Sequence, residues 1–226
     1  MKTSYRRHLP HQIPEGTPLF LTWNLNGAIP RKVRERLGRE REQLEQQCQR
    51  AGESFRDRAL RVGKIMFARA DSYLDRSVAG PLYLKDSAAA TIVEEAILFG
   101  VNERYDLYAW CVMANHVHVL LTPHWELAKV TQGIKGFTAH EINRLQGCSG
   151  RKFWMDESYD HWVRDEEELL RIIVYIESNP VKAGLCKCAH DWSWSSARFR
   201  ASWPTGKILQ MGMLGQIVGQ PFQTDH

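Results

Sequence analysis

From residue 18 to residue 25, Leu19, Leu21, Trp23 and Leu25 alternate with Phe20, Thr22 and Asn24. This is the period of a strand with at least one buried face, and Gly27 and Pro30 end it. The stretch from Arg31 to about Gly63 has high helix propensity but few apolar residues (Val33, Leu37, Leu44, Phe55, Leu60), which predicts a long, polar, projecting helical segment. Asp86 or Ser87 suits the start of a helix with Ile92, Val93, Ala96 and Ile97 inward. Two runs rich in aromatic and β-branched residues, 105–113 and 116–122, are separated only by Ala114 and Asn115, as in an antiparallel hairpin. A helix over residues 125–145 should turn Leu127, Val130, Ile134, Phe137 and Ile142 inward. Another over 165–179 carries Leu169, Ile172, Ile173 and Ile176 as its buried stripe and four acids at its start, where the macrodipole favours them. Pro180 and Gly184 predict that it stops at Asn179.

The order strand, helix, strand, strand, helix, helix predicts an α+β fold: a central antiparallel sheet with helices packed on one face. The two middle strands are too close in sequence for a parallel crossover. A chain of 226 residues can form one domain, expected over residues 1–200 with a helical insertion at about 31–63 and a tail over 201–226. Hydrophobic residues at 43% and charged residues at 25% fit neither a disordered chain nor a membrane protein. Five scattered cysteines and no apolar run of signal-peptide or membrane-spanning type point to a reduced, cytoplasmic protein. Cys186 and Cys188 lack a second Cys or His pair at a zinc-site spacing and read as incidental thiols. The net charge of +4 is uninformative in bulk, but ten basic and six acidic residues lie between Arg31 and Arg61, so the whole excess sits there. A solvated, salt-bridge-laced helix is the plain reading of that segment.

His116 and His118, two apart in a strand, project from one face and can share a cation. With nine histidines in the chain such a pair also arises by chance, and two core-edge histidines are the bland alternative. Tyr175 and Asn179, four apart, share a helix face with Glu168 and Arg171. Taken singly, they read as a packing residue and a helix stop. Taken with the histidines they suggest phosphodiester chemistry. A cation on two imidazoles and an amide or carboxylate oxygen can polarise a phosphate, and a phenol can attack it and keep the bond energy in a phosphotyrosine. Lys135, Arg144, Arg151 and Lys152, near Phe153 and Trp154, and Arg171 on the last helix are candidates for single-stranded DNA contacts. Surface charges around a core Trp would look the same.

The segment WCVMANHVHVLL, from Trp110 to Leu121, resembles the "MPNHVHLLL" block of the HUH single-tyrosine transposases. Tyr159-Asp160, Val163 to Leu169 and Tyr175 to Leu185 resemble their "YD..VRDEEEL…YI..NPVKAGL" block. Lys135 to Ala139 and Trp192 to Ala197 resemble further blocks, those of the REP-associated tyrosine transposase branch, so that the likeness spans about residues 18–200. The resemblance implies a ferredoxin-like HUH endonuclease core and a metal-dependent enzyme using Mg²⁺ or Mn²⁺. It implies cleavage and strand transfer on single-stranded DNA at palindromic hairpins, through a 5′-phosphotyrosine. It makes His116 and His118 the metal ligands, Tyr175 the nucleophile and Asn179, where shorter members carry Gln, the third ligand. Ala114 departs from the family's Pro, and the 31–61 stretch is longer than in compact members, an added arm that would grip DNA phosphates. A domesticated hairpin-binding protein and a phosphodiesterase using water stay open beside this reading.

Overall fold

The computed structural model describes residues 16–47, 52–76 and 79–200, so most of the expected lead-in and the whole 201–226 tail lie outside the described residues. Four strands, β1 (Leu19–Asn24), β2 (Tyr105–Val112), β3 (His116–Pro123) and β4 (Tyr159–Trp162), form one sheet in the order β2-β3-β1-β4. Every pairing is antiparallel, with β1 against β3 in unbroken register from Leu19 opposite Leu121 to Asn24 opposite His116. Met113, Ala114 and Asn115 join β2 to β3 in the expected hairpin, a connection one residue longer than the expected pair.

Among the described residues the helices are α1 (Arg31–Gln46), α2 (Phe55–Arg76), α3 (Ser87–Phe99), α4 (Leu127–Leu145), α5 (Glu166–Lys182) and the short α6 (Ala197–Arg200). The α+β class expected from the sequence is the one observed, with one difference: both sheet faces are covered. Leu19, Leu21, Trp23, Val117, Val119 and Leu121 face a core completed by Ala90, Val93 and Ile97 of α3 and by Val130, Ile134 and Ile142 of α4. Phe20, Ala109, Cys111 and Leu120 point the other way and meet Ile172, Ile173 and Ile176 of α5. Each of these isoleucines, almost wholly buried, contributes about 2 kcal/mol through burial. Both strands of the hairpin are buried on both sides, as a sheet covered twice requires, but on the α5 side of β3 Leu120 is accompanied by the polar His116, His118 and Thr122.

Three helical expectations change. Phe137 is 56% exposed, and Thr138 takes the inward place, its hydroxyl bonded to Ile134 O at 2.7 Å and accepting from Trp154 Nε1 at 2.9 Å. Helix α5 runs through Pro180 to Lys182. The proline falls in the last turn, where the chain needs only to close: Leu185 N bonds to Pro180 O and Gly184 N to Val181 O, with Gly184 at φ +70°. Third, α2 continues past Gly63 to Arg76, so the basic segment is a helical hairpin rather than a free arm.

Only part of that hairpin projects. No residue of α1 is buried, and its charges are laced by Arg31–Glu35 at 2.7 Å, Arg36–Glu40 at 3.7 Å and the cross-helix pair Arg69–Glu40 at 2.9 Å. The far half of α2 docks on the α5 side of the sheet. Lys64 meets Glu168 of α5 at 3.0 Å, Phe67 stacks on Tyr159 with centroids 4.0 Å apart, and Asp71 and Leu74 are buried. Glu168 also accepts from His161 at 3.0 Å and from Arg164 N, and these bonds outweigh burial and hold its carboxyl down at about 2.

Candidate active site

Strand alternation brings His116 and His118 onto the α5 side of the sheet, both fully buried. Asn115 Nδ2 donates to Leu74 O at 3.0 Å, which fixes its amide so that Oδ1 accepts from His116 Nδ1 at 2.6 Å. His116 therefore carries its proton on Nδ1 and turns an Nε2 lone pair inward. His118 Nδ1 is held by Thr22 Oγ1 at 2.7 Å, across the β1–β3 ladder. The two Nε2 atoms meet 3.0 Å apart. Burial holds both imidazoles neutral, with pKa values pushed down to about 3; the neighbouring His118 adds to the effect at His116, and Lys182 at His118.

Helix α2 supplies what the sequence reading missed. Asp71 Oδ1 lies 3.4 Å from His118 Nε2 and 3.9 Å from His116 Nε2, and Asp75 Oδ1 lies 3.6 Å from His116 Nε2. Burial raises both carboxyls, that of Asp75 to about 7 with help from the charge of Asp71. The Tyr175 hydroxyl donates to Asp71 Oδ2. Its phenol is raised by burial first and by Asp71 next. Lys182 Nζ stands 4.4 Å over the Tyr175 ring. Asn179, one turn beyond Tyr175, is fully buried, and neither atom of its amide has a hydrogen-bond partner.

These side chains fit a bound divalent cation. Two neutral imidazole nitrogens and a carboxylate oxygen lie within 4.8 Å of one another, and the inward Asp71 Oδ1 and Asp75 Oδ1 are buried without a hydrogen-bond donor. A mixed nitrogen and oxygen set with an anionic member suits a cation such as Mn²⁺, and it leaves positions for phosphate oxygens. Asp71 and Asp75, at i and i+4 on one helix, carried a legible signal as paired carboxylates, but they fall beyond the point where the basic segment was expected to end.

The five basic candidates are dispersed and internally engaged. Lys135 Nζ binds the carbonyls of Met155 at 2.6 Å and Asp156 at 3.2 Å, and burial lowers its pKa to about 8. Arg151 packs 4.0 Å over the Tyr83 ring and donates to Asn143 and Gln146. Arg144 pairs with Glu141 at 2.6 Å, Lys152 with Asp156 at 2.6 Å and Arg171 with Glu167 at 2.8 Å, all on exposed surface. Phe153 and Trp154 belong to the core beneath α4 and offer no ring face to a base.

Residues 89–179 match the family model described as "Transposase IS200 like", a span that holds His116, His118, Tyr175 and Asn179 but not Asp71. A curated relative, the REP-associated tyrosine transposase of Escherichia coli (strain K12), is 26% identical over 96 residues, 41% of this chain. The match covers 54% of that relative, so the chain spans about half its length. The solved structure of a REP-associated tyrosine transposase bound to a REP hairpin has a similar fold, with a TM-score of 0.52 and 17% identity over 91% of each chain.

Proposed function

Proceeding from its likeness to the REP-associated tyrosine transposases in sequence blocks, family match and fold, we propose that this chain is a metal-dependent endonuclease and strand transferase. Its substrate is single-stranded DNA at palindromic, REP-like hairpins, and it works through a 5′-phosphotyrosine. The observation that carries the proposal is the convergence of the Tyr175 hydroxyl, two imidazole Nε2 atoms and the Asp71 carboxylate at one buried place.

His116, His118 and Asp71 would hold the cation, Mg²⁺ or Mn²⁺, with the Asn179 amide as a further ligand. Such an ion would supply Lewis-acid polarisation of the scissile phosphate and charge to offset that of the transition state. Thr22 and Asn115 act behind the histidines, fixing each ring by its Nδ1. Tyr175 is the nucleophile: its Oη forms the bond to phosphorus, the bond from phosphorus to the 3′ oxygen breaks, and that oxygen leaves as a 3′ hydroxyl after taking a proton from solvent. Asp71 Oδ2 already accepts the phenol hydrogen bond and gives the departing proton a place to go. Lys182 over the phenol ring favours the developing phenolate. Strand rejoining reverses the same step.

The test uses end-labelled single-stranded DNA from the hairpin-bearing flanks of the chain's own gene, incubated with protein and Mn²⁺ and run on a denaturing gel. Wild-type protein should yield a protein-linked band, and Tyr175→Phe none. Cleavage without a linked band would support a water-using phosphodiesterase, and binding without cleavage a hairpin-binding protein.

A further inference from the structure

A second group of metal-ligating side chains stands on the surface, directly after α5. There the chain reads Cys186-Lys187-Cys188-Ala189-His190-Asp191 and makes a 3₁₀ turn over Ala189–Asp191. The ligand atoms of Cys188, His190 and Asp191 all lie within 4.8 Å of one another. The turn is self-braced: Cys188 N donates to Asp191 Oδ2 at 3.2 Å, and Asp191 N donates to Cys188 O at 3.1 Å. His190 Nε2 sits 3.4 Å from Asp191 Oδ1. Cys186 stands two residues before Cys188, and both cysteines are free.

No second Cys or His pair stands at zinc-finger spacing, but this turn brings three donors together within four residues, with the Cys186 thiol two residues upstream. We propose that Cys186, Cys188, His190 and Asp191 bind one thiophilic divalent cation of the zinc type. Two thiolates, an imidazole and a carboxylate match the tetrahedral preference of such an ion, whose donor atoms stand about 3.5 Å apart. The side chains of His190 and Asp191, 60% and 50% exposed, are free of packing that would resist contraction to that value. Binding releases the two thiol protons. It also braces the segment after α5, which is anchored on β2 where Trp192 Nε1 donates to Val112 O at 3.0 Å and Trp194 O accepts from Val112 N at 2.9 Å.

The test titrates the full chain, metal-free and under a thiol-free reductant, with Co²⁺. The turn should give a near-ultraviolet sulfur-to-cobalt charge-transfer band that saturates at one equivalent and disappears on adding Zn²⁺. The buried His116–His118–Asp71 centre supplies nitrogen and oxygen and contributes no such band. The Cys186→Ser, Cys188→Ser double variant should lose the band while keeping the wild-type circular dichroism. His190→Ala should keep the band but bind Co²⁺ at least tenfold more weakly. A wild-type protein without the band, a double variant that retains it, or unchanged affinity in His190→Ala would each overturn the assignment.

Discussion

Asp71→Asn separates the two consequences of burying a carboxylate beside two neutral imidazoles. Asparagine keeps the shape and still accepts the Tyr175 hydrogen bond through its carbonyl oxygen, so packing and that contact survive. What it removes is a charge. The Asp71 carboxyl is raised by burial, so its ionised form weakens the metal-free fold: the stability it contributes is full at low pH and lost as pH rises through its folded pKa. At pH 7 the metal-free variant should therefore be more stable than wild type. The metal response should move the opposite way. At a hundredfold excess of Mn²⁺ over its dissociation constant, wild type gains about 2.7 kcal/mol, or roughly 5–11 °C in a domain of this size. Loss of an anionic ligand that weakens binding about a hundredfold cuts that gain to about 0.4 kcal/mol. Thermal melts with and without Mn²⁺ read both effects. A variant that melts below wild type without metal, or that keeps the full Mn²⁺ shift, would refute the role given to Asp71.

Glu168→Gln should loosen the contact between α2 and α5. Because Glu168 titrates at about 2 when folded, its stabilising share is present above its ordinary range near 4.5 and is lost as pH falls from there toward 2. The difference in stability between wild type and variant, about 2–3 kcal/mol at pH 7 by denaturant unfolding, should therefore vanish by about pH 2; a pH-independent difference would contradict this. Lys135→Met should cost about 1–3 kcal/mol by removing the ammonium that ties down the Met155 and Asp156 carbonyls, while changing hairpin affinity little at fixed salt. A large affinity loss without destabilisation would return Lys135 to the DNA. Neutralising the exposed Lys32, Arg34 and Arg39 on α1 together should lower the salt slope of hairpin binding by about 2, and an unchanged slope would leave α1 as a solvated helix.

The parts of this molecule that the sequence made legible are those governed by local period. Two-residue alternation put His116 and His118 on one face of β3, and the four-residue spacing put Tyr175 and Asn179 on one face of α5; neither inference needed a tertiary contact. The docking of α2 did. Its larger apolar residues gather toward its far half (Val62, Ile65, Met66, Phe67, Leu74), mostly beyond the Gly63 limit of the stretch read as a solvated helix, and only three-dimensional packing shows that Phe67, Asp71 and Leu74 meet the sheet. The single helical face was misjudged for a related reason: α5 and the pair α3 and α4 each carry one apolar stripe, and nothing in a stripe says which side of the sheet it covers. Pro180 misled because a missing N–H is costly in mid-helix and nearly harmless in a last turn closed by Gly184. β4 escaped notice because four residues, Tyr159 to Trp162, are too few to show a period, yet this strand places Tyr159 against Phe67 at the edge of the site.

Whether Tyr175 carries the DNA between cleavage and rejoining is tested by proteolysis and mass spectrometry of the protein–DNA adduct formed with single-stranded hairpin substrate and Mn²⁺. A nucleotide joined through its 5′ phosphate to the peptide containing Tyr175 is the expected product. An adduct on the peptide containing Tyr159, or cleaved DNA bearing a free 5′ phosphate with no modified peptide, would contradict it.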